Sequence, residues 1–217
     1  MAKHFPLEGS LHTDELGKDY GKIAARVVTN SPPFVRKAHL VDKKGISRTF
    51  AITFLPERFP NPAIRAIHEK IKGRKLIGET FRENGYTIRK NVLAVFVVKI
   101  PKWLQREFHL PDQTAKVRVS EFYAKRPGAK PVIYAEVAEI YSPDFKAPRI
   151  NKFDRKQVNP PTEFLETEGF TKEQIWEKLG RGNDWSDARP RYEKAKARAR
   201  LQQLYWRKKI IKSLTSG

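Results

Sequence analysis

No cysteine occurs in the 217 residues. That excludes disulfides, thiolate metal sites and cysteine nucleophiles in one step. The five histidines (His4, His12, His39, His68 and His109) never fall in ligand-like pairs, so no metal centre is expected, because a metal needs clustered ligands. No cofactor motif is found either. No apolar run approaches the ~20 residues of a membrane-crossing helix, and there is no internal repeat or low-complexity block. The opening "MAKHFPLEGSLHTDELGKDYG" lacks an apolar signal core. Its Glu8, Asp14, Glu15 and Asp19 make it a poor match to an acid-depleted transit peptide. Acidic residues are scarce overall: 24 Asp and Glu stand against 44 Lys and Arg, for a formal net charge of +20.

What is present is a foldable, strongly basic chain. The apolar fraction is 39%, with 13 Phe, 7 Tyr and 4 Trp, which is enough for one core and rules out a disordered polyelectrolyte. Self-repulsion at +20 is ordinarily tolerated because a polyanion neutralises it. The composition therefore points to RNA, with neighbouring ribonucleoprotein subunits as further partners. No basic helix has the broad continuous apolar face that a membrane surface would select. The expected location is intracellular, in the cytoplasm or the mitochondrial matrix as part of a particle.

Periodicity divides the chain into four regions. Residues 1–31 read as an N-terminal arm and 32–145 as an α+β domain. Residues 146–187 read as an extended tether with one short helix, and 188–217 as a basic C-terminal helix. Within the domain, "PPFVRKAHLVD" and "ISRTFAITF" alternate as strands joined by the turn "DKKG" at 42–45. "NPAIRAIHEKIKG" has helix punctuation, with Asn61 as cap, Pro62 in the first turn and Gly73 as stop; Ile64, Ile67 and Ile71 form its stripe. "YTIRKNVLAVFVVKI" is β-branched enough to read as a central strand. "PKWLQREF" is a short helix, and "AKVRVSEFYAK" and "PVIYAEVAEIY" form a second hairpin around "RPGAK". With so few helical crossovers the fold class is α+β with a mainly antiparallel sheet. In the tether, "TKEQIWEKLG" carries a capping box from Thr171 to Gln174 and a stop at Gly180.

Charges inside apolar strands supply the candidate site. In the last strand, alternation puts Val132, Tyr134, Glu136, Ala138 and Ile140 on one face. Ile133, Ala135, Val137, Glu139 and Tyr141 lie on the other. The first hairpin places Arg36 among Phe34, Ala38 and Leu40, and Arg48 among Ile46, Phe50, Ile52 and Phe54. A buried guanidinium needs a carboxylate or an anionic ligand. Either Glu136 or Glu139 can serve, and periodicity does not choose between them.

The order of "FVRKAHLVDKKGISRTFAITFLP", "KLIGETF", "YTIRK" and "KPVIYAEVAEIYSP" resembles the chorismate lyase fold, shared with the effector (UTRA) domain of GntR-type regulators. The likeness spans about 32–145 and nothing after it. It implies a ligand pocket of Arg36, Arg48, Ile77, Gly78, Arg89 and Glu136. In a lyase, Arg36 would hold the substrate carboxylates and Glu136 would assist proton movement as pyruvate leaves chorismate; the ligand would be a small aromatic acid. The helix-turn-helix that precedes this domain in the regulators is not found.

The final helix, expected over about 188–213, gives the leading functional expectation. Lys194, Lys196, Arg198, Arg200, Arg207, Lys208, Lys209 and Lys212 supply cations on several sides. Ala197, Leu201, Leu204 and Ile211 make a narrow apolar stripe. Tyr205 borders that stripe and is expected to anchor the helix, with Trp206 lying away from it. A lyase needs none of this, whereas a structural RNA-binding subunit of a ribonucleoprotein, a cytoplasmic or mitochondrial ribosomal protein above all, needs both charge and tether.

Overall fold

The computed structural model describes residues 12–29, 34–72, 75–111, 113–145 and 158–215. Six strands form one antiparallel sheet: β1 (Ala24–Thr29), β2 (Val35–Val41), β3 (Ser47–Phe54), β4 (Thr87–Lys99), β5 (Thr114–Lys125) and β6 (Val132–Tyr141). Their spatial order is β1-β2-β3-β6-β5-β4. Two three-stranded meanders thus abut along the β3–β6 pairing. The α+β class with an antiparallel sheet is as expected. The position of β4 is not, because this long apolar strand is an edge. Its free side is partly closed by a later segment, where the Asn159 amide donates to the Val92 carbonyl at 2.8 Å beside a bulge. Covering an exposed edge in this way removes a template for unwanted strand pairing.

Helices cover both faces. On the first lie α1 (His12–Tyr20), α2 (Pro62–Lys72) and α3 (Ile77–Glu83). The N-terminal arm therefore carries a helix and a strand that the sequence reading left unstructured. In α2 the Ile64 amide donates to Asn61 Oδ1 at 2.9 Å, and Ile64, Ile67 and Ile71 are buried. The proposed stop, Gly73, lies outside the described residues. On the second face lie α4 (Lys102–Phe108), α5 (Thr162–Thr167), α6 (Lys172–Gly180), α7 (Arg189–Arg198) and α8 (Gln202–Thr215). The capping box of α6 forms in both directions, Gln174 N to Thr171 Oγ1 and Thr171 N to Gln174 Oε1.

The region read as a tether holds two helices, α5 and α6, with residues 146–157 outside the described set. Leu165, Phe170, Ile175, Trp176, Leu179, Trp185 and Tyr192 pack with Tyr123 of β5 into a cluster of their own. The C-terminal helix also differs from expectation. It is α7 and α8 joined by a 3₁₀ turn, Ala199–Leu201, and it lies on the sheet. Trp206, Ile210 and Leu214 enter the main core beside Phe50, Ile52, Leu93 and Ile140. The expected stripe faces outward, with Leu201 69% and Leu204 56% exposed. Tyr205 is exposed too, so Trp206 is the anchor. The reason is Lys208, which falls inside the Leu201–Leu204–Ile211 stripe: docking that face on the core would bury an ammonium, whereas docking Trp206, Ile210 and Leu214 leaves Lys208 exposed and Lys209 within reach of Glu136.

Candidate functional site

Direct cross-strand partners share a face, so the register decides which charges meet. Arg36 lies opposite Thr53, Thr53 opposite Val137, and Val137 opposite Ser120. Glu139 lies opposite Ala51 and Arg118. Arg36 and Glu139 therefore point to the α1–α3 side. Glu136, opposite Phe54 and Glu121, points to the other side. A bulge between Phe122 and Tyr123 also breaks the simple alternation of β6: Tyr134 packs with Ala135 and Val137 rather than with Ala138 and Ile140.

A cavity of about 60 Å³ lies on the α1–α3 side, lined by His12, Arg36, Ile77, Gly78, Lys90 and Glu139 among others. At a share of ~30 Å³ per liquid water it holds about two waters. Glu139 is 5% exposed and doubly neutralised. Lys90 Nζ donates to Oε1 at 2.5 Å, and Arg118 Nη2 and the Tyr141 hydroxyl each donate to Oε2 at 2.8 Å. Although burial favours the neutral acid, Lys90 and Arg118 hold this carboxyl well below the usual range. His12 donates to or accepts from Thr49 Oγ1 at 2.7 Å, and burial pushes its pKa down to about 3. Arg36 is 3% exposed, and among the described residues no carboxylate pairs with it. Its Nη2 donates to the Lys75 carbonyl at 3.2 Å. Its Nε, Thr53 Oγ1 and Ser120 Oγ are buried without hydrogen-bond partners among the described residues.

The other carried-over positions go elsewhere. Arg48 closes the β2–β3 turn, donating to Asp42 Oδ2 at 2.8 Å and to Asp144 at 2.6 Å, with Tyr20 stacked 4.1 Å away. Arg89 leaves the opposite face of β4, donates to the Trp176 carbonyl and lies over that indole ring. Gly180 permits this, since a Cβ there would collide with the guanidinium. Glu136 meets Lys209 at 3.7 Å on the rim of an open cleft of about 450 Å³. Burial raises its pKa and Lys209 opposes that. Of the six pocket residues named from sequence, Arg36, Ile77 and Gly78 meet, and Arg48, Arg89 and Glu136 do not join them.

Sequence reasoning missed Lys90, Arg118 and His12. Lys90 was legible as a charge inside an apolar strand; His12 gave no signal. A second buried glutamate, Glu121 in "RVSEFYA", was also missed. It accepts from Asn91 Nδ2 at 2.9 Å, the Thr162 amide at 3.1 Å and Thr162 Oγ1 at 2.6 Å. Tyr123 in turn donates to Thr162 Oγ1, and Asn91 also donates to the Pro160 carbonyl. With neutral donors only, burial pushes the carboxyl up to about 7.

On the C-terminal helix, Lys194, Lys196, Arg198, Arg200, Arg207, Lys208 and Lys212 are exposed, and Lys209 is half-buried. Arg198 pairs with Glu168 at 3.3 Å. Lys209 turns inward over Phe54 and Trp206 as well as toward Glu136, so it belongs to the packing. No protein-family model matches the chain, and no curated protein matches it.

Proposed function

We propose that the protein is a non-catalytic RNA-binding subunit of a large ribonucleoprotein, a ribosome of the cytoplasm or of mitochondria, built on a chorismate-lyase-like body. The observation that carries this reading is the fixed helix. Seven of the eight cations named from the sequence stand exposed on α7, α8 and the turn between them, while Trp206, Ile210 and Leu214 hold that helix to the core. A cationic array on a rigid body binds a phosphate backbone without the ordering cost of a free tail. The order of sequence motifs supports the lyase-like body, and the antiparallel sheet is compatible with it.

The test is equilibrium binding to a folded ribosomal RNA fragment across salt. Log affinity should fall linearly with log salt, with a slope of about −0.7 to −0.9 for each phosphate contacted. Replacing Lys194, Arg200, Arg207 and Lys208 by Glu should flatten the slope and weaken binding by at least about 100-fold at low salt. Equal binding by the two proteins, or failure of the natural protein to co-sediment with ribosomal particles, defeats the proposal.

A second reading rests on Arg36. A buried guanidinium with no carboxylate partner among the described residues, lining a small cavity and opposite Thr53 on the next strand, suits a small anion. Lys90 and Arg118 hold Glu139 ionised, which makes it a weak base, and Glu136 faces away from Arg36, so the observations favour binding over turnover. Thermal melting with chorismate and 4-hydroxybenzoate tests binding, and pyruvate release tests turnover. A melting shift that Arg36→Leu abolishes supports the anion site, and pyruvate release would make the protein an enzyme.

A further inference from the structure

The C-terminal helix has two apolar faces, and only one is used. Trp206, Ile210 and Leu214, spaced by four, enter the core. On the opposite side stand Leu201, Leu204 and Ile211, with Lys208 between the last two and Ala197 one turn before the first. Four of the seven large apolar side chains exposed among the described residues are on this one helix: Leu201, Leu204, Tyr205 and Ile211. Scattered exposed apolar residues need no explanation, but a concentrated line of them does.

The spacing identifies what such a line fits. Leu201, Leu204, Lys208 and Ile211, running from the end of the 3₁₀ turn through α8, are separated by three, four and three residues, the alternation of a two-helix seam; Ala197 lies before the 3₁₀ turn and outside that count. A single lysine in such a seam fixes register at some cost in stability. The positions that flank a seam are the ones that choose its partner by charge; here they include Arg200, Arg207 and Lys212. Neither Arg200 nor Arg207 makes an ion pair within the described residues. On the Tyr205 side, Lys209 lies 5.5 Å from the Tyr205 ring and also lines the open cleft with Phe34, Phe54 and Leu55, so apolar surface continues past the seam.

We propose that this outer seam docks one helix of a neighbouring protein whose own flanking positions are acidic. A second copy of this chain is a poor occupant: it would bring the same cationic flanks together, on a body of net charge +20. RNA is a poor occupant as well. Phosphates and bases can use the arginines, the lysines and Tyr205, but they offer nothing to Leu201, Leu204 and Ile211. The inference goes beyond the RNA reading: Arg200, Arg207 and Lys208 stand on both surfaces, whereas Leu201, Leu204 and Ile211 belong to the seam alone and are therefore the positions the test changes.

The experiment places a photo-activatable benzoylphenylalanine at position 204 of the full-length protein in its own cells and maps the cross-linked peptides by mass spectrometry. The expected product is a helical segment of another protein with Glu or Asp flanking an apolar stripe. Its yield should fall at least tenfold when Leu201 and Ile211 are both changed to Ser. Those changes lie on exposed positions, and an unchanged melting curve confirms the fold. Adducts to RNA, adducts to a second copy, adducts to a partner without acidic flanks, or no adduct would each overturn the proposal. RNA binding by the Leu201→Ser, Ile211→Ser protein is measured in parallel. It should stay within about twofold of the parent, so the two readings fail separately.

Discussion

Glu121 and Glu139 stand on neighbouring strands, equally buried, on opposite faces of one sheet. One is held ionised and the other is pushed toward its neutral acid. Depth is therefore not what separates them. Glu139 has an ammonium and a guanidinium on its oxygens; Glu121 has an amide, a backbone N–H and a hydroxyl. On the Glu121 face, Arg89 is committed to Trp176 and Lys209 reaches Glu136 instead. The difference teaches that a charge in an apolar strand is assigned by its cross-sheet neighbours, not by its own segment.

The largest expected effect comes from ending the chain after Pro160. This removes the Thr162 donors from Glu121 and strips Trp206, Ile210 and Leu214 from the core. Truncating each such side chain costs about 2–5 kcal/mol, against a total stability of about 5–15 kcal/mol for a typical domain. The shortened protein should show no cooperative urea transition; a sharp one would mean the C-terminal layer is dispensable.

Next is Glu139→Gln. Lys90 and Arg118 would be left facing each other, and a buried pair broken this way costs about 3–5 kcal/mol. Chemical denaturation at neutral pH reads it, and a loss below about 1 kcal/mol would contradict the ion-pair assignment. Because its folded pKa is depressed, the contribution of Glu139 is present above the ordinary carboxylate range and is lost as pH falls below it.

Glu121 has the opposite sign. Its folded pKa, about 7, lies above the ordinary glutamate value of 4.5. Stability from this group is full below about 4.5 and is lost as pH rises through about 7, by an amount on the order of 3 kcal/mol. Glu121→Gln should remove most of that slope between pH 5 and 8 in melting experiments. Parallel profiles for variant and parent would refute the raised pKa.

The smallest effect is Gly180→Ala. A methyl there displaces the Arg89 guanidinium from Trp176, for a net loss of about 1 kcal/mol once the helix-propensity gain is set against overpacking. Trp176 fluorescence should shift; an unchanged spectrum would show that Arg89 adapts.

Local chemistry was readable in the sequence wherever it is local. Asn61 and the Thr171–Gln174 box cap their helices, and the turn at 42–45 closes through Asp42 and Gly45. Sheet order was not readable: β3 meets β6 with two helices, β4, α4 and β5 between them in the chain, and nothing in either strand encodes that partner. The choice between Glu136 and Glu139 depends on that order, so motif matching favoured the glutamate that faces away from Arg36. The outward turn of Leu201 and Leu204 was partly legible, since Lys208 interrupts the stripe they define.

The sheet is complete once Tyr141 has been made, yet one of its faces is closed in part by Trp206, Ile210 and Leu214, which join Leu104 and Phe108 of α4 there. During synthesis that face remains partly open while the whole intervening segment is still being added. A nascent chain in this state exposes Phe50, Ile52, Leu93 and Ile140, the sort of surface that chaperones hold and that aggregates when they do not. Expression from stalled or prematurely ended messages should therefore give insoluble product, and the final turns of helix act as the step that releases the protein from that risk.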